Sequence, residues 1–338
     1  MDNDKVIAPH SRAQDLKPLL APSEIVGIDI DVSTLHFPIY ASIKFNGIRG
    51  LLMNGSFISR SGLPLNIHNT ILYELQPLVN FCADNKLVLD GEFHAYSDNT
   101  TGGMLSMLAG NKKLPYDFKY KVFGIYTYRQ WNGADTIFMK DMQESPYWEI
   151  LSNTPPISQL ELVIQELIEN ASELDDLVFK VQQNSLIEGV MLASPSLLMG
   201  HGRQPVRAGK FLKMKFYSDP IDGQIQNIYA RQEHLPETET EYDINDRARR
   251  SRRQEDMYVT NIGGCLEVKL EGGLIVNIPF PKGTSLQMRT LYLKNFRKGG
   301  SFDLYGKWLQ FRKLNAGEKD KPNSVKCVEF RDSKGNIL

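Results

Sequence analysis

Short apolar runs separated by turn residues fill the chain from residue 37 to residue 60. The runs IYASIKFNG, IRGLLMNG and SFISRSG each have the length of a strand, and the pairs Asn46-Gly47 and Asn54-Gly55 suit tight turns. This pattern predicts antiparallel strands joined at the two Asn-Gly pairs.

Helices and further strands are predicted downstream. Apolar residues at helical spacing predict a helix from Asn69 to Asn80 and an amphipathic helix from Ser158 to Asn170. Apolar runs predict strands at KLVLDGEFHAY, which contains a turn-like Asp-Gly pair, and at YKVFGIYTY, IEGVMLAS and KFLKMKFY. These elements predict a first domain of residues 1–218 that mixes helices with antiparallel sheets.

After Pro220 the pattern changes to short strands, with one helix predicted from Leu286 to Phe296. The strand-like runs are GQIQNIYA, GCLEVKL, GGLIVNIPF, KWLQFRKL and SVKCVEFRD. Short strands of this number with one helix fit a small Greek-key barrel such as the OB-fold. We therefore expect an all-β second domain of residues 219–338.

Residues 231–260 are polar and contain the run RARRSRR. This composition predicts a mobile loop on the barrel. Its closely spaced arginines repel one another unless a polyanion or the preceding acidic stretch meets them. We predict that nucleic acid is the polyanion, with neutralisation inside the loop by Glu237, Glu239, Glu241, Asp243 and Asp246 as the alternative. The predicted DNA-binding residues are Arg247, Arg249, Arg250, Arg252 and Arg253.

The amino-acid composition excludes several classes of protein. With 338 residues, 41% hydrophobic and 23% charged, the chain has the composition of a globular protein with room for two domains. Its 39 Lys and Arg against 40 Asp and Glu exclude a wholly basic nucleic-acid coat, so attraction to phosphate must come from local patches. Cys82, Cys265 and Cys327 are too far apart to suggest a paired metal site or a disulfide framework.

The sequence was also searched for a membrane-spanning segment and for a signal peptide. No apolar stretch approaches the roughly 20 residues that cross a bilayer, and the N-terminus MDNDKVIAPHSR lacks the apolar region of a signal peptide. We expect a cytoplasmic protein.

Lys44 is the candidate nucleophile. It ends an apolar strand two residues before Asn46, which presents its amine to a cleft. A nucleophilic lysine needs a lowered pKa, from desolvation or from cations nearby, and Arg49 and Arg60 on adjoining strands are the candidate cations. A strand-end lysine on its own is most often a solvated surface residue, so this prediction depends on the groups around it.

Charged residues in later strands add to the site. Glu92 and Glu188 are flanked by apolar residues, where a carboxylate needs a cation or donors: either a divalent metal or an arginine. Lys213, Lys215 and Phe211 share one face of a strand by the period of two. Two lysines on one face favour an anion between them, and phosphate is the natural candidate, although solvated edge lysines show the same pattern.

Taken in order, these segments resemble the motifs of covalent nucleotidyltransferases. IKFNGIRG is similar to the first motif, Lys-x-Asp-Gly-x-Arg, and FISRSG, LDGEF, KVFGIY, IEGVML and FLKMK are similar to those that follow. The resemblance runs from about residue 24 to the C-terminus. It is closest to compact phage ATP-dependent DNA ligases, which share the stretches FPIYASIKFNGIRG and NTTGGMLS. Any one motif is weak, whereas the ordered set is specific.

The resemblance implies a fold and an activity. The fold would be α+β, an antiparallel-sheet nucleotidyltransferase (ATP-grasp-like) domain followed by an all-β OB-fold domain. Lys44 would attack the α-phosphate of ATP, and AMP would then pass to the 5′-phosphate of a nick, where the 3′-hydroxyl displaces it. Positioning and charge neutralisation supply most of the catalysis in such transfers. The cofactors would be ATP and Mg²⁺, and a monomer would act on nicked duplex DNA in phage-type replication or repair.

The resemblance also implies roles for single residues. Glu92 and Glu188 would hold ribose and Mg²⁺, which prefers oxygen ligands. Phe123 would stack on adenine. Lys213 and Lys215 would bind the α-phosphate, and Arg49 and Arg60 would bind the phosphate or the nick. The remaining residues implied for the nucleotide site are Ser42 and Ile43.

Three features depart from the family pattern. Asn46 stands where most members have Asp, as in some RNA-repair ligases, and Ser42 stands where many DNA ligases have an acid facing adenine, so that backbone groups would select the base. Of the last motif of capping enzymes only EFRD, with Arg331, lies near the expected end.

The alternative functions are an RNA ligase, an mRNA guanylyltransferase and a catalytically inactive nucleic-acid-binding homologue. Ile48 and Arg49 favour DNA over RNA, because many RNA ligases have Ser directly after the motif glycine.

Overall fold

The computed structural model describes residues 18–98, 100–153, 157–238, 240–242, 248–250, 253–297, 304–314, 322, 324–332 and 336–337. The chain divides into two compact units with the main boundary between Phe216 and Tyr217. Among the described helices, none is long and apolar enough to cross a membrane.

The first unit contains two sheets and several helices. Its strands are β1 (Ile39–Lys44), β2 (Ile48–Met53), β3 (Ser56–Ile58), β4 (Leu87–His94), β5 (Lys119–Thr127), β6 (Leu160–Leu162), β7 (Glu166–Ile168), β8 (Gly189–Ala193) and β9 (Phe211–Lys215). Its α-helices are α1 (Asn69–Asp84), α2 (Thr101–Leu108), α3 (Tyr128–Trp131), α4 (Met139–Gln143), α5 (Pro146–Asn153) and α6 (Ala171–Gln182). Short 3-10 turns occur at Val32–Thr34 and Val206–Ala208.

The two sheets of this unit have the orders β7-β1-β8-β9 and β3-β2-β4-β5-β6. Their described pairings are antiparallel, except that β5 and β6 run parallel. Helices α1 and α2 bury their apolar faces against the second sheet, with Leu75 and Met104 fully buried there. Helix α6 packs on the first sheet through Leu174 and Val181. A further cluster, which includes Leu51 of β2 and Ala193 of β8, joins the two sheets.

The predicted hairpin at Asn46-Gly47 is wrong. β1 and β2 belong to different sheets, so the chain crosses from one sheet to the other at Phe45–Gly47. Gly47 permits this crossing because a Cβ there would collide with the carbonyl oxygen of Phe93 on β4. The hairpin at Asn54-Gly55 is confirmed: both residues have positive φ, at 50° and 75°, as a type I′ turn requires.

The predicted helix from Ser158 to Asn170 is also wrong. The segment forms β6 and β7, and a helix begins only after Asn170, whose side chain accepts a hydrogen bond from the Glu173 amide. β6 gains backbone hydrogen bonds at the edge of β5, which local helical spacing does not reveal. The Asp-Gly pair at Asp90 is likewise no turn but a register shift within β4. The helix predicted from Asn69 is confirmed as α1.

The second unit contains the five strands and the helix predicted after Pro220, which are β10 (Ile221–His234), β13 (Met257–Leu270), β14 (Ile275–Pro279), α7 (Leu286–Arg297), β15 (Trp308–Arg312) and β16 (Lys326–Arg331). Two short strands that were not predicted, β11 (Thr240–Tyr242) and β12 (Ala248–Arg250), lie between β10 and β13 in the sequence. A 3-10 turn lies at Gln254–Asp256. The main sheet has the order β14-β13-β10-β15-β16, and Leu293 of α7 joins a core with Ile225, Leu266 and Phe311.

The loop predicted over residues 231–260 is in part a paired structure. β10 and β13 stay paired as far as His234 and Met257, and β11 pairs with β12. Backbone hydrogen bonds form these pairs without large apolar side chains, which is why composition alone suggested a loop. Arg249 and Arg250 lie in β12, and exposed Arg253 pairs with Glu255 at 3.7 Å. Arg247 and Arg252 lie outside the described residues.

Candidate active site

A cavity of about 370 Å³ lies between the two sheets of the first unit. It is lined from one side by β1, β8 and β9 and from the other by β2, β4 and β5. The cavity brings together every residue that the sequence predicted for the nucleotide site. These residues are Ser42, Ile43, Lys44, Arg49, Arg60, Glu92, Phe123, Glu188, Lys213 and Lys215, and Asn46 lines the same cavity.

Lys44 forms an ion pair with Glu188. Its Nζ donates to Oε2 of Glu188 and, at 3.4 Å, to the carbonyl oxygen of Phe45. Burial alone would lower the pKa of Lys44, but the charges of Glu188 and Glu92 outweigh it and raise the pKa above its ordinary value. Arg49 lowers this pKa as expected, but the prediction that the pKa is lowered overall is wrong. The two carboxylates prevail because Glu188 is in direct contact with the ammonium group.

Glu188 lies between two lysines. Its side chain is only 6% exposed, and its second oxygen pairs with Nζ of Lys215. Burial would raise the pKa of Glu188, but Lys44 and Lys215 outweigh it and lower the pKa. Lys215 is thus neutralised by a carboxylate that belongs to the protein.

Glu92 has a different environment. Burial raises its pKa above the ordinary range, only partly opposed by Lys44. Its Oε1 accepts a hydrogen bond of 2.7 Å from the amide of Gly47, at the crossing that follows Lys44. Glu92 therefore fixes the backbone beside the candidate nucleophile.

Arg49 is engaged by Asp90, a cavity residue that sequence reasoning missed. Its guanidinium binds both carboxylate oxygens of Asp90, one of them at 2.8 Å, and donates to the carbonyl of Leu19 at 2.9 Å. It also lies 5.4 Å from the centre of the Phe123 ring. The signal for Asp90 was its place two residues before Glu92, which the period of two puts on the same face of a strand.

Lys213 has no carboxylate partner among the described residues. Its Nζ donates to the carbonyl oxygen of Pro22. Burial, followed by the positive charges of Lys215, Lys44 and Arg203, lowers its pKa to about 8. Arg203 is a second cavity residue that sequence reasoning missed, and it donates to the carbonyl of Ala21 at 2.7 Å. An anion entering the cavity would meet this cationic side.

A buried polar cluster adjoins the site. The ammonium of Lys121 pairs with Glu161 at 2.5 Å and lies 4.5 Å from the ring centre of Phe45, the residue after Lys44. His94 is fully buried, and neither of its ring nitrogens has a hydrogen-bond partner in the described part of the chain. Burial, followed by the charge of Lys121, lowers the pKa of His94 to about 4, so this histidine is neutral at physiological pH.

Two carboxylates in the cavity, those of Glu92 and Glu188, are the predicted ligands of Mg²⁺. Within the described ranges, no group of three or more His, Cys, Asp or Glu side chains is arranged to hold a metal ion. Mg²⁺ is commonly held by one or two carboxylates together with substrate phosphates. Glu92 and Glu188 fit that mode, since both line the cavity.

The fold of the chain is similar to that of solved DNA ligase structures. No family model and no curated protein sequence match the chain. A solved structure of a Lig E DNA ligase aligns with a TM-score of 0.59 and 15% identity, covering 92% of this chain and 98% of that one. Structures named Pmar-Lig_Pre and Pmar-Lig_PreS3 both align with a TM-score of 0.63, at 13% and 14% identity, covering 68% and 69% of those chains. The predicted resemblance to DNA ligases is confirmed at the level of the fold.

Proposed function

We propose that this chain is an ATP-dependent DNA ligase that seals nicks in duplex DNA through AMP bonded to Lys44. The observation that carries the proposal is the cavity itself. It places the amine of Lys44, three carboxylates, the cations Lys213 and Arg203 and the ring of Phe123 around one space, in a fold similar to that of a Lig E DNA ligase.

The first step would form a phosphoramidate. Nζ of Lys44, once deprotonated, attacks the α-phosphorus of ATP, a nitrogen–phosphorus bond forms, and the bond to the β-phosphate oxygen breaks to release pyrophosphate. Glu188 contacts this amine and is the group placed to receive its proton. The ammonium form has no lone pair, so the ion pair keeps Lys44 unreactive until a nucleotide enters the cavity.

Other cavity residues would neutralise and orient the nucleotide. Lys213 and Lys215 would bind the α-phosphate, and Arg60 the phosphate or the nick. Mg²⁺ held by Glu92 and Glu188 would supply further neutralisation of phosphate charge. Phe123 would stack on the base, with Arg49 fixed beside its ring.

The two later steps would complete the seal. A 5′-phosphate oxygen at the nick attacks the phosphorus of the lysyl adduct, which breaks the nitrogen–phosphorus bond and regenerates Lys44. The 3′-hydroxyl then attacks the 5′-phosphate and releases AMP. These steps require duplex DNA to bind beside the cavity.

We assign DNA binding to the second unit, as an OB-fold domain of residues 219–338 that acts with the adenylating domain of residues 1–218 in a monomer. Numbered by their order in the sequence, the strands of its main sheet follow the order 3-2-1-4-5, and α7 lies between the third and fourth. That arrangement supports a five-stranded OB barrel. Arg247, Arg249, Arg250, Arg252 and Arg253 would hold the DNA backbone.

An RNA ligase is the second candidate, because Asn46 lines the cavity where most DNA ligases have Asp. Incubation with ATP and Mg²⁺, followed by mass spectrometry, tests the chemistry that both candidates share. The wild-type protein should gain one AMP, Lys44→Ala should gain none, and Lys180→Ala, a change of an exposed lysine on α6, should behave as wild type. Sealing of nicked DNA but not nicked RNA decides between the candidates, and an adduct that survives Lys44→Ala contradicts both.

A further inference from the structure

Gln165 lies between β6 and β7, where the chain passes from the second sheet of the first unit to the first sheet. It lines the same cavity as Phe123. Its side-chain Nε2 donates a hydrogen bond of 2.9 Å to the backbone carbonyl of Phe123. The amide is thereby tied to the residue whose ring is expected to stack on the base.

The carbonyl of Phe123 fixes which way this amide points. A carbonyl oxygen can only accept a hydrogen bond, so the nitrogen of the Gln165 amide must face it. The other end of the amide is then the oxygen Oε1, for which no donor is found among the residues that the structure describes. The hydrogen bond to Phe123 therefore keeps the amide from flipping, so that Gln165 presents its oxygen as an acceptor to a ligand in the cavity.

We propose that Oε1 of Gln165 accepts a hydrogen bond from the 6-amino group of adenine and so selects ATP. The inference rests on the proposed nucleotide site. Gln165 would take the part of the acidic side chain that many DNA ligases place against adenine and that Ser42 replaces here. A purine with an oxygen at position 6, as in guanine or hypoxanthine, would bring an acceptor against Oε1. Such a pair leaves two desolvated oxygens without a donor, which is unfavourable.

Nucleotides that differ only at position 6 test this assignment. The rate of Lys44 adduct formation is measured with ATP, with purine riboside triphosphate, which lacks the 6-amino group, and with inosine triphosphate. The wild-type protein should prefer ATP over purine riboside triphosphate by about three- to tenfold in kcat/KM, the range expected for one hydrogen bond. Inosine triphosphate should react more slowly than either.

The variant Gln165→Met keeps a side chain of similar length and removes the acceptor. It should react with ATP and purine riboside triphosphate at nearly equal kcat/KM. Gln183→Met is the matched control, because Gln183 also donates to a backbone carbonyl, that of Phe179 at 3.2 Å, but does not line the cavity. This control should keep the wild-type preference.

The outcomes separate this inference from the proposed function. A wild-type protein that forms the adduct equally well with ATP and purine riboside triphosphate overturns the role of Gln165, and this comparison needs no variant to fold. An undiminished preference in Gln165→Met also overturns it. A wild-type protein that forms no adduct with any of the three nucleotides overturns the proposed function, and the inference with it.

Discussion

Nζ of Lys44 and the carboxylate of Glu188 form an ion pair inside the cavity, although 144 positions separate the two residues in the sequence. Backbone pairing explains the contact, because Lys44 at the end of β1 lies opposite Gly189 of β8, the neighbour of Glu188. The ion pair keeps the amine of Lys44 in its protonated, ammonium form.

This pair leads to a prediction for the pKa of Lys44. Glu188→Gln removes the largest influence that raises this pKa, so burial should then lower it. A ¹³C NMR titration of dimethylated lysines, with Lys44→Arg to assign the signal, measures the change. Glu161→Gln, which removes a carboxylate from Lys121 instead, should leave the Lys44 titration unchanged. A Lys44 pKa that rises in Glu188→Gln would contradict the account of the pair.

Lys213 predicts a pH dependence of ATP binding. Its pKa is lowered to about 8, so its charge is present below that pH and is lost above it. ATP affinity should therefore fall by about tenfold as pH rises through the region above 8, the order expected for loss of a hydrogen bond to a charged group. Calorimetry on Lys44→Ala, which cannot react, measures binding alone. Because Lys44 is one of the cations that lower this pKa, the midpoint in that background should lie somewhat above 8.

Adding Lys213→Met to the same background should weaken ATP binding at pH 7 and remove most of this fall. Lys180→Met, on an exposed position of α6, should leave the pH profile as it was. An equally steep fall without Lys213 would assign the titration to another group.

His94 predicts a loss of stability in mild acid. Its pKa is lowered from 6.5 to about 4 in the folded protein, so the unfolded chain binds the proton more readily. The stabilisation is complete above pH 6.5 and decreases as pH falls towards 4. Between pH 7 and pH 4.5 the free energy of unfolding should fall by about 2 kcal/mol through this residue. Urea unfolding of wild type and His94→Phe at both pH values measures the difference, which should be smaller in the variant by that amount. Exposed His36→Phe should retain the wild-type difference, and a drop of equal size in His94→Phe would show that other groups cause it.

The arginine-rich segment predicts how salt affects DNA binding. Each arginine that contacts phosphate should contribute about 0.9 to the slope of log affinity against log salt concentration. Alanine at Arg249, Arg250, Arg252 and Arg253 should flatten that slope for nicked DNA while AMP transfer to Lys44 continues. Arg129→Ala is a suitable control, since exposed Arg129 pairs with Asp135 at 2.7 Å. An unchanged slope together with slower adenylation would place the segment at the nucleotide site instead.

Much of the site could be predicted from local patterns. Short apolar runs bounded by turn residues located the strands that carry Lys44, Glu92, Phe123 and Lys213, and a strand's period of two fixes which side chains share a face. The hairpin at Asn54-Gly55 was predictable for a similar reason, because its geometry depends on two adjacent residues.

Strand partners and the charge balance around Lys44 depend on distant parts of the chain, and only the tertiary structure determines them. Asn46-Gly47 has the sequence of a hairpin turn, yet its flanking strands find different partners and join separate sheets. The segment from Ser158 has helical spacing, yet the open edge of β5 offers β6 backbone hydrogen bonds. The pKa of Lys44 is raised rather than lowered because the charges of Glu188 and Glu92 outweigh that of Arg49, which is paired with Asp90. Sequence patterns report a residue's own strand and face, whereas strand pairing and charge balance arise only when distant segments meet.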